Sequence, residues 1–490
     1  MDELHETTAV DLRDRLGAGE LTPTEVADHF LARIERAGPG LGAFVSVTPG
    51  AARERAAALE AMDHGDRGPL WGLPSGDKDL WARAGVPAGF GSRAFAGDDA
   101  VVPPSSDEIV EVLDAAGVVS LGRTTAPELG FPAYTEPLAG PVARNPWDPA
   151  LGAGGSSGGA AVAVAAGLLP FAPGSDGGGS VRIPAAACGV VGLKPSRGLM
   201  PAGSGQEALG GLVVNGPLAR TTADVALLLE GMLTWDADGG VAHPLTLRAP
   251  SARRGEYLAA AQRGEAPGDD GRARRRLRIG VTLDSAWDDF YDITTSAEAR
   301  AALDVGTDEL TGLGHDVDEL SLAPFEEYGP AFRTLWMAGA SAVPLDDPAR
   351  LARLEPLTQW LIGRGREVPA RRLAEALRTL TAFERHLVAQ VARFDVVLTP
   401  ALAMPPRPVG WFDPQDPERN FEQQCQYTPW TSMLNVAGLP AIAVPVHQTD
   451  AGLPMGVQVV GRPGGERTLL AVAAQLEDRL RWADRRPPTW

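Results

Sequence analysis

Three observations predict an α/β fold for this 490-residue chain, with a largely parallel or mixed sheet between helical layers. Downstream of an N-terminal helical region, short runs of β-branched residues alternate with longer runs of helical period. The apolar fraction of 44% is enough for a large core and excludes wholesale disorder. No repeat of fixed period and no heptad array is present, so neither a solenoid nor a coiled coil competes.

The elements follow in order. Thr22-Pro23-Thr24-Glu25 reads as a capping box with proline at the first helical position, opening an amphipathic helix towards Arg36. A second helical run covers Pro49 to Met62, and the first sixty residues read as helical throughout. Ser105-Ser106-Asp107-Glu108 caps a helix through Ala116, Gly117 closes it, and Val118 to Leu121 is a short buried strand. Leu277 to Leu283 is another strand, followed by a helix from Ser296 and a strand from His315 to Leu320. Val396-Val397-Leu398, Ala441 to Val446 and Val457 to Val460 continue the series. Ala249 to Arg276, rich in Arg, Gly and Asp, breaks the pattern and reads as a solvated surface excursion.

Charge and cysteine content exclude several classes. With 44 basic and 63 acidic residues the net charge is −19, which gives no counterion-release advantage on nucleic acid or anionic membrane. Cys188 and Cys425 cannot form a disulfide framework or a zinc site alone, and suit a reducing cytoplasm. The opening Met-Asp-Glu-Leu-His-Glu has neither the basic nor the apolar region of a signal peptide. The seven histidines are scattered without ligand spacing, so no metal or organic cofactor is expected.

Lysine usage singles out two positions. Of the 44 basic residues only Lys78 and Lys194 are lysines. Arginine cannot give up a proton at accessible pH, so a retained lysine suggests a site that needs a small ammonium or a removable proton. Lys78 follows the turn Gly68-Pro69-Leu70-Trp71-Gly72-Leu73-Pro74 in a short extended segment.

The candidate nucleophiles lie in two glycine nests. Gly152-Ala153-Gly154-Gly155-Ser156-Ser157-Gly158-Gly159 and Gly174-Ser175-Asp176-Gly177-Gly178-Gly179-Ser180 carry Ser156 and Ser180, 24 positions apart. The intervening stretch suits one small-residue helix and one strand. Glycine runs leave backbone N–H groups free to face a cavity, and Ser180 precedes a helix start, which together could make a nucleophile with an oxyanion hole. The P-loop pattern is absent, and Ser157 occupies the last glycine position of a dinucleotide fingerprint. Gly154-Gly155-Ser156-Ser157-Gly158 formally matches a G-x-S-x-G nucleophile elbow, which would need His386 or His447 as base. A desolvated, neutral Lys78 is the other candidate base.

These segments resemble the amidase signature family of serine hydrolases over nearly the whole length. The glycine/serine stretch resembles its signature, and Gly72-Leu73-Pro74…Lys78-Asp79 its lysine motif. Further matches include Arg144-Asn145-Pro146-Trp147, Gly192-Leu193-Lys194-Pro195, Asn435 and Gly438-Leu439-Pro440. The resemblance implies one amidase domain over 1–490, built on a large mixed central sheet sandwiched between helical layers: helices 1–64, a catalytic core 65–248, the excursion 249–276, and a half 277–490 completing sheet and pocket. It implies Ser180 as nucleophile, Ser156 as relay with a cis peptide bond between it and Ser157, and Lys78 as base. Gly177, Gly178, Gly179 and Ser180 would supply oxyanion N–H groups, with Ser157, Asp176 and Arg182 in support and Lys194 structural. Trp71 stands where many members have histidine, and Asp77 where many have an apolar residue. In an extended segment Asp77 is expected to face away from Lys78.

The implied reaction is hydrolysis of a carboxylic amide, aryl, alkyl or oligomeric, through an acyl-enzyme. Carbamate or cyclic oligoamide hydrolysis is an alternative, and so is the release of ammonia from glutamine, in an amidotransferase assembly, for tRNA-dependent amidation. Amidotransferase members typically read Ile-Arg-Gln-Pro and Lys-Pro-Thr-Tyr-Gly, where this chain has Val181-Arg182-Ile183-Pro184 and Lys194-Pro195-Ser196-Arg197-Gly198. Phe131, Tyr134, Gln426 and Trp430 are the expected pocket walls. The expected partner is a small-molecule amide, without nucleic acid or membrane, for a cytoplasmic monomer or homodimer.

Overall fold

The computed structural model describes residues 3–201, 209–240, 243, 245–248, 252–267, 273–274 and 276–490. At its centre is an eight-stranded mixed sheet. Its strand order is Asp316–Glu319, Arg278–Val281, Val396–Pro400, Pro454–Gly461, Ala441–Gln448, Val191–Lys194, Val214–Ala219, Phe171–Asp176. Arg278–Val281 is parallel to both neighbours, and every other pair is antiparallel. A separate three-stranded sheet holds Phe44–Val47, Val119–Thr124 and Pro74–Lys78.

Local sequence accounts for many of the boundaries. Thr22 Oγ1 accepts from the Glu25 N–H while Glu25 accepts from the Thr22 N–H, so both arms of the capping box are made. Ser296 caps Ala297–Gly312 through the Ala299 N–H. Asp107 stands at the start of Glu108–Ala115, but its carboxylate accepts from the Ala82 N–H instead of capping its own helix. The helix Gly158–Ala165 is wholly buried. A Cβ on Gly159 would lie 2.3 Å from the Thr125 nitrogen, so only glycine lets this helix approach the neighbouring strand.

Two expectations are revised. Phe44–Val47, inside the stretch read as helical, is a strand paired antiparallel with Val119–Thr124, because its alternating Val45 and Val47 suit a sheet edge. The stretch 249–276 holds the helix Glu256–Arg263, which packs against Thr222–Gly231 and Glu466–Leu480 and buries Tyr257 completely. Residues 249–251, 268–272 and 275 of that stretch lie outside the described residues. Among the described residues no helix is long and apolar enough to cross a membrane.

Two apolar cores divide the molecule. The larger wraps the sheets and the buried helix. The second lies beneath Tyr328–Ser341, Pro356–Arg366 and Ala370–Val391 and contains Trp287 and Trp430.

Candidate active site

Lys78 ends the strand Pro74–Lys78, all five residues of which are buried. Alternation along the strand separates it from its acidic neighbours. Asp77 pairs with Arg83 at 2.5 Å and accepts from the Ser120 hydroxyl, while Asp79 accepts from Arg123 Nε at 2.6 Å. Trp71, also buried, donates its Nε1–H to the Leu59 carbonyl. Lys78 Nζ faces serines instead: Ser156 Oγ at 2.9 Å, Ser175 Oγ at 3.0 Å and the Ser175 carbonyl at 3.2 Å. Burial pulls its pKa down to about 7, against a smaller upward pull from Asp176.

Ser156 follows a cis Gly155–Ser156 peptide bond, so the cis bond precedes Ser156 and does not follow it as expected. The Ser156–Ser157 unit is already committed to the helix start. Its Ser157 N–H donates to the Ser180 carbonyl at 3.0 Å, and the Ser157 carbonyl accepts from Ala161. The Ser157 hydroxyl donates to the Ser175 carbonyl at 3.3 Å. Lys78, Ser156, Ser157, Ser175 and the Ser180 backbone thus form one cluster.

Asp176 organises the second nest from the end of Phe171–Asp176. Its carboxylate accepts from the Gly179 and Val181 N–H groups, Arg182 Nε and Nη2, and Asn435 Nδ2, all within 3.1 Å. Burial alone would raise its pKa, but the Arg182 pair and the Asn435 bond hold the carboxyl well below the usual carboxylate range. Arg182 reaches on to the Thr431 carbonyl, Gln458 Oε1 and Asn435 Oδ1. The Gly178–Gly179 peptide unit is held at both ends: Thr431 Oγ1 donates to the Gly178 carbonyl at 2.6 Å and the Gly179 N–H goes to Asp176. Gly179 is therefore removed from the expected set of oxyanion donors, because its N–H is occupied. It has φ +132°, and a Cβ there would meet Thr431 Oγ1 at 2.6 Å. Among the described residues no acceptor meets the N–H groups of Gly177, Gly178 and Ser180, which stay available.

Ser180 opens onto a cavity of about 470 Å³ including its mouth. Phe131 lines it together with Trp287, Phe332, Trp336 and Phe421. The other three expected wall residues are elsewhere. Tyr134 stacks on Phe412 with its hydroxyl accepting from Asn420, Gln426 turns to the Asp292 carbonyl, and Trp430 is fully buried with Nε1 donating to the Leu283 carbonyl. One cue to the missed wall was present in sequence: Phe332 and Trp336 are four apart in Tyr328–Ser341 and share a helix face. Ser175 and Thr431 were also missed. Ser175 precedes Asp176 in a strand, so its backbone and side chain could be expected beside the nest.

The remaining candidates are not brought in. Lys194 is buried, donates to the Pro195 carbonyl, and is pulled down to about 7, first by burial and then by Arg182. Among the described residues no histidine bonds to Ser156 or Ser180; His386 Nε2 meets the Ala323 carbonyl. Glu3, His5 and Glu6 bring potential metal-ligand atoms within 4.8 Å of one another, with His5 Nδ1 already against His29 Nε2.

Comparison with known proteins gives this arrangement its relatives. The amidase family profile matches residues 25–470. The chain is 37% identical to "Putative amidase AmiB2" of Mycobacterium tuberculosis over 96% of both chains. It is 34% identical to a glutamyl-tRNA(Gln) amidotransferase chain of Chloroflexus aggregans over 99% of both. Among solved structures, a substrate complex of 6-aminohexanoate cyclic dimer hydrolase matches with TM-score 0.84 and 27% identity over 100% of both chains.

Proposed function

The chain belongs to the amidase signature family, and we propose on that basis that it hydrolyses carboxylic amides with Ser180 as nucleophile, Ser156 as proton relay and Lys78 as base. The observation that carries the assignment is the contact set of Lys78. In the neutral amine two N–H bonds point to the Ser175 carbonyl and hydroxyl, and the lone pair is left for the Ser156 hydroxyl at 2.9 Å. Burial makes that neutral form accessible near neutral pH.

In the first half-reaction Ser180 Oγ attacks the amide carbonyl carbon while its proton passes to Ser156, and the Ser156 proton passes to Lys78. The carbonyl oxygen becomes an oxyanion held by the N–H groups of Gly177, Gly178 and Ser180. The C–N bond then breaks, the amine leaving with the proton returned from Lys78 through Ser156, and the acyl group stays as an ester on Ser180. Water attacks that ester along the same relay, the ester C–O bond breaks and Ser180 regains its proton. The sum is amide plus water to carboxylic acid plus amine, with no cofactor. Labelling by a fluorophosphonate tests the roles: it should vanish in Ser180→Ala. Labelling that survives in Ser180→Ala but is lost in Ser156→Ala would exchange the two serines.

The similarity to the amidotransferase chain supports a second reading, glutamine hydrolysis for tRNA-dependent amidation. Turnover of simple aryl or alkyl amides by the isolated chain decides for the first. Ammonia transfer to a charged tRNA with a partner present, and little hydrolysis of unrelated amides without one, decides for the second.

A further inference from the structure

We propose that the cavity before Ser180 accepts uncharged acyl groups that are flat or unbranched at the carbon next to the carbonyl, and that Trp336 imposes this limit. The inference rests on Ser180 being the acylated residue.

The first argument concerns charge. Among the described residues no charged side chain lines the cavity. Its amide and hydroxyl side chains are occupied within the wall. Gln424 accepts from the Ala133 N–H and donates to Asn420, both at 2.7 Å. The Thr428 hydroxyl donates to the Gln424 carbonyl, and Ser432 Oγ meets Trp287 Nε1 and the Tyr328 hydroxyl. Cys425 stays a neutral thiol, because burial pushes it up. A carboxylate or ammonium on the acyl group would lose water and find no partner, which is costly.

The second argument concerns shape. Atoms of the Trp336 ring lie 3.7–3.9 Å from where a Cβ on Gly177 or Gly178 would sit, so the gap between the nest and the indole admits one carbon at van der Waals distance. The ring is held in place by Phe332, stacked at 5.5 Å and 17°, and by the edge of Phe131 at 6.0 Å. An acyl carbon on Ser180 with its oxygen in the nest sets the next carbon in this gap. A planar or methylene carbon fits there, whereas a second or third substituent meets the indole, which Phe332 and Phe131 pack from two sides.

The test is a series of p-nitroanilides sharing one leaving group: benzoyl, hexanoyl, 2,2-dimethylpropanoyl and succinyl, each normalised to its alkaline hydrolysis rate. The expected kcat/KM is at least about tenfold lower for the branched and the carboxylate-bearing members, the scale of discrimination available to a pocket wall. Trp336→Ala should raise the branched-to-benzoyl ratio by about tenfold, and Trp336→Phe by an intermediate factor, which serves if the alanine variant folds poorly. Equal turnover of succinyl and benzoyl, or a branched-to-benzoyl ratio unmoved in both Trp336 variants, overturns the inference while leaving amide hydrolysis intact. Absence of turnover across the series, with Ser180 unlabelled, removes the hydrolase reading and this inference with it.

Discussion

Ser175 meets Lys78 twice, with its hydroxyl 3.0 Å and its carbonyl 3.2 Å from Nζ. Both contacts accept N–H bonds, and together they orient the amine so that its third direction meets Ser156. Ser175→Ala removes one acceptor and leaves a buried N–H unsatisfied, which costs about 1 kcal/mol. Steady-state kinetics should show kcat lowered about fivefold to tenfold, on the scale of that bond, with KM nearly unchanged.

The pH dependence follows from burial of Lys78. A free lysine titrates near ~10.4, and here burial brings the group to about 7. Below that value Nζ is protonated and its lone pair is gone, which would block the proposed relay, so kcat/KM should fall about tenfold per pH unit on the acid side. Above it the rate should level off. Lys78→Arg should be as inactive as Lys78→Ala, since arginine cannot deprotonate. Lys194, also brought to about 7, is the control: Lys194→Arg should keep turnover and the same acid limb. An acid limb lost with Lys194 and retained without Lys78 would reassign the base.

Thr431 holds the proposed oxyanion nest from behind, through the Gly178 carbonyl, and does not line the cavity. Thr431→Val preserves shape and removes the hydroxyl that meets the Gly178 carbonyl. Loss of a direct oxyanion donor costs about 10²–10³ in kcat, and this indirect loss should cost about tenfold, with KM and the melting temperature little changed. Thr431→Ser should restore the rate. A Thr431→Val enzyme with unchanged kcat would show that the nest keeps its geometry without this bond.

Asp176 and Arg182 form a pair in which neither side chain is more than 1% exposed. Removing one partner leaves the other buried and uncompensated, so Asp176→Ala should destabilise the protein by about 3–5 kcal/mol and abolish activity. The denaturant midpoint measures this, and a midpoint within error of the parent would contradict it.

What was legible in the sequence was local. The Lys78 strand, the small-residue helix and the two serine nests all depend on short spacings between glycine, proline and serine. The capping box and the strand ends likewise come within a few residues of their observed bounds. Of the pocket only Phe131 was legible, because an aromatic side chain is placed by residues far along the chain. Tyr134 and Trp430 are core residues since Phe412 and Leu283 receive them, and the roof over Gly178 is Trp336, more than 150 positions later. The Phe44–Val47 strand was obscured by the helices on either side, although its alternation was visible.

Besides Asp176, Arg182 draws its partners from Thr431, Asn435 and Gln458, all contributed by the last strands and the helix before them. Ser180 and Lys78 are synthesised long before these partners exist. The nest beside Ser180 thus combines a local anchor, Asp176, with three bonds from the distant end, and its full set of contacts closes only when that end has docked. With Ser180 as the proposed nucleophile, turnover would double as a readout that the last strands are in place.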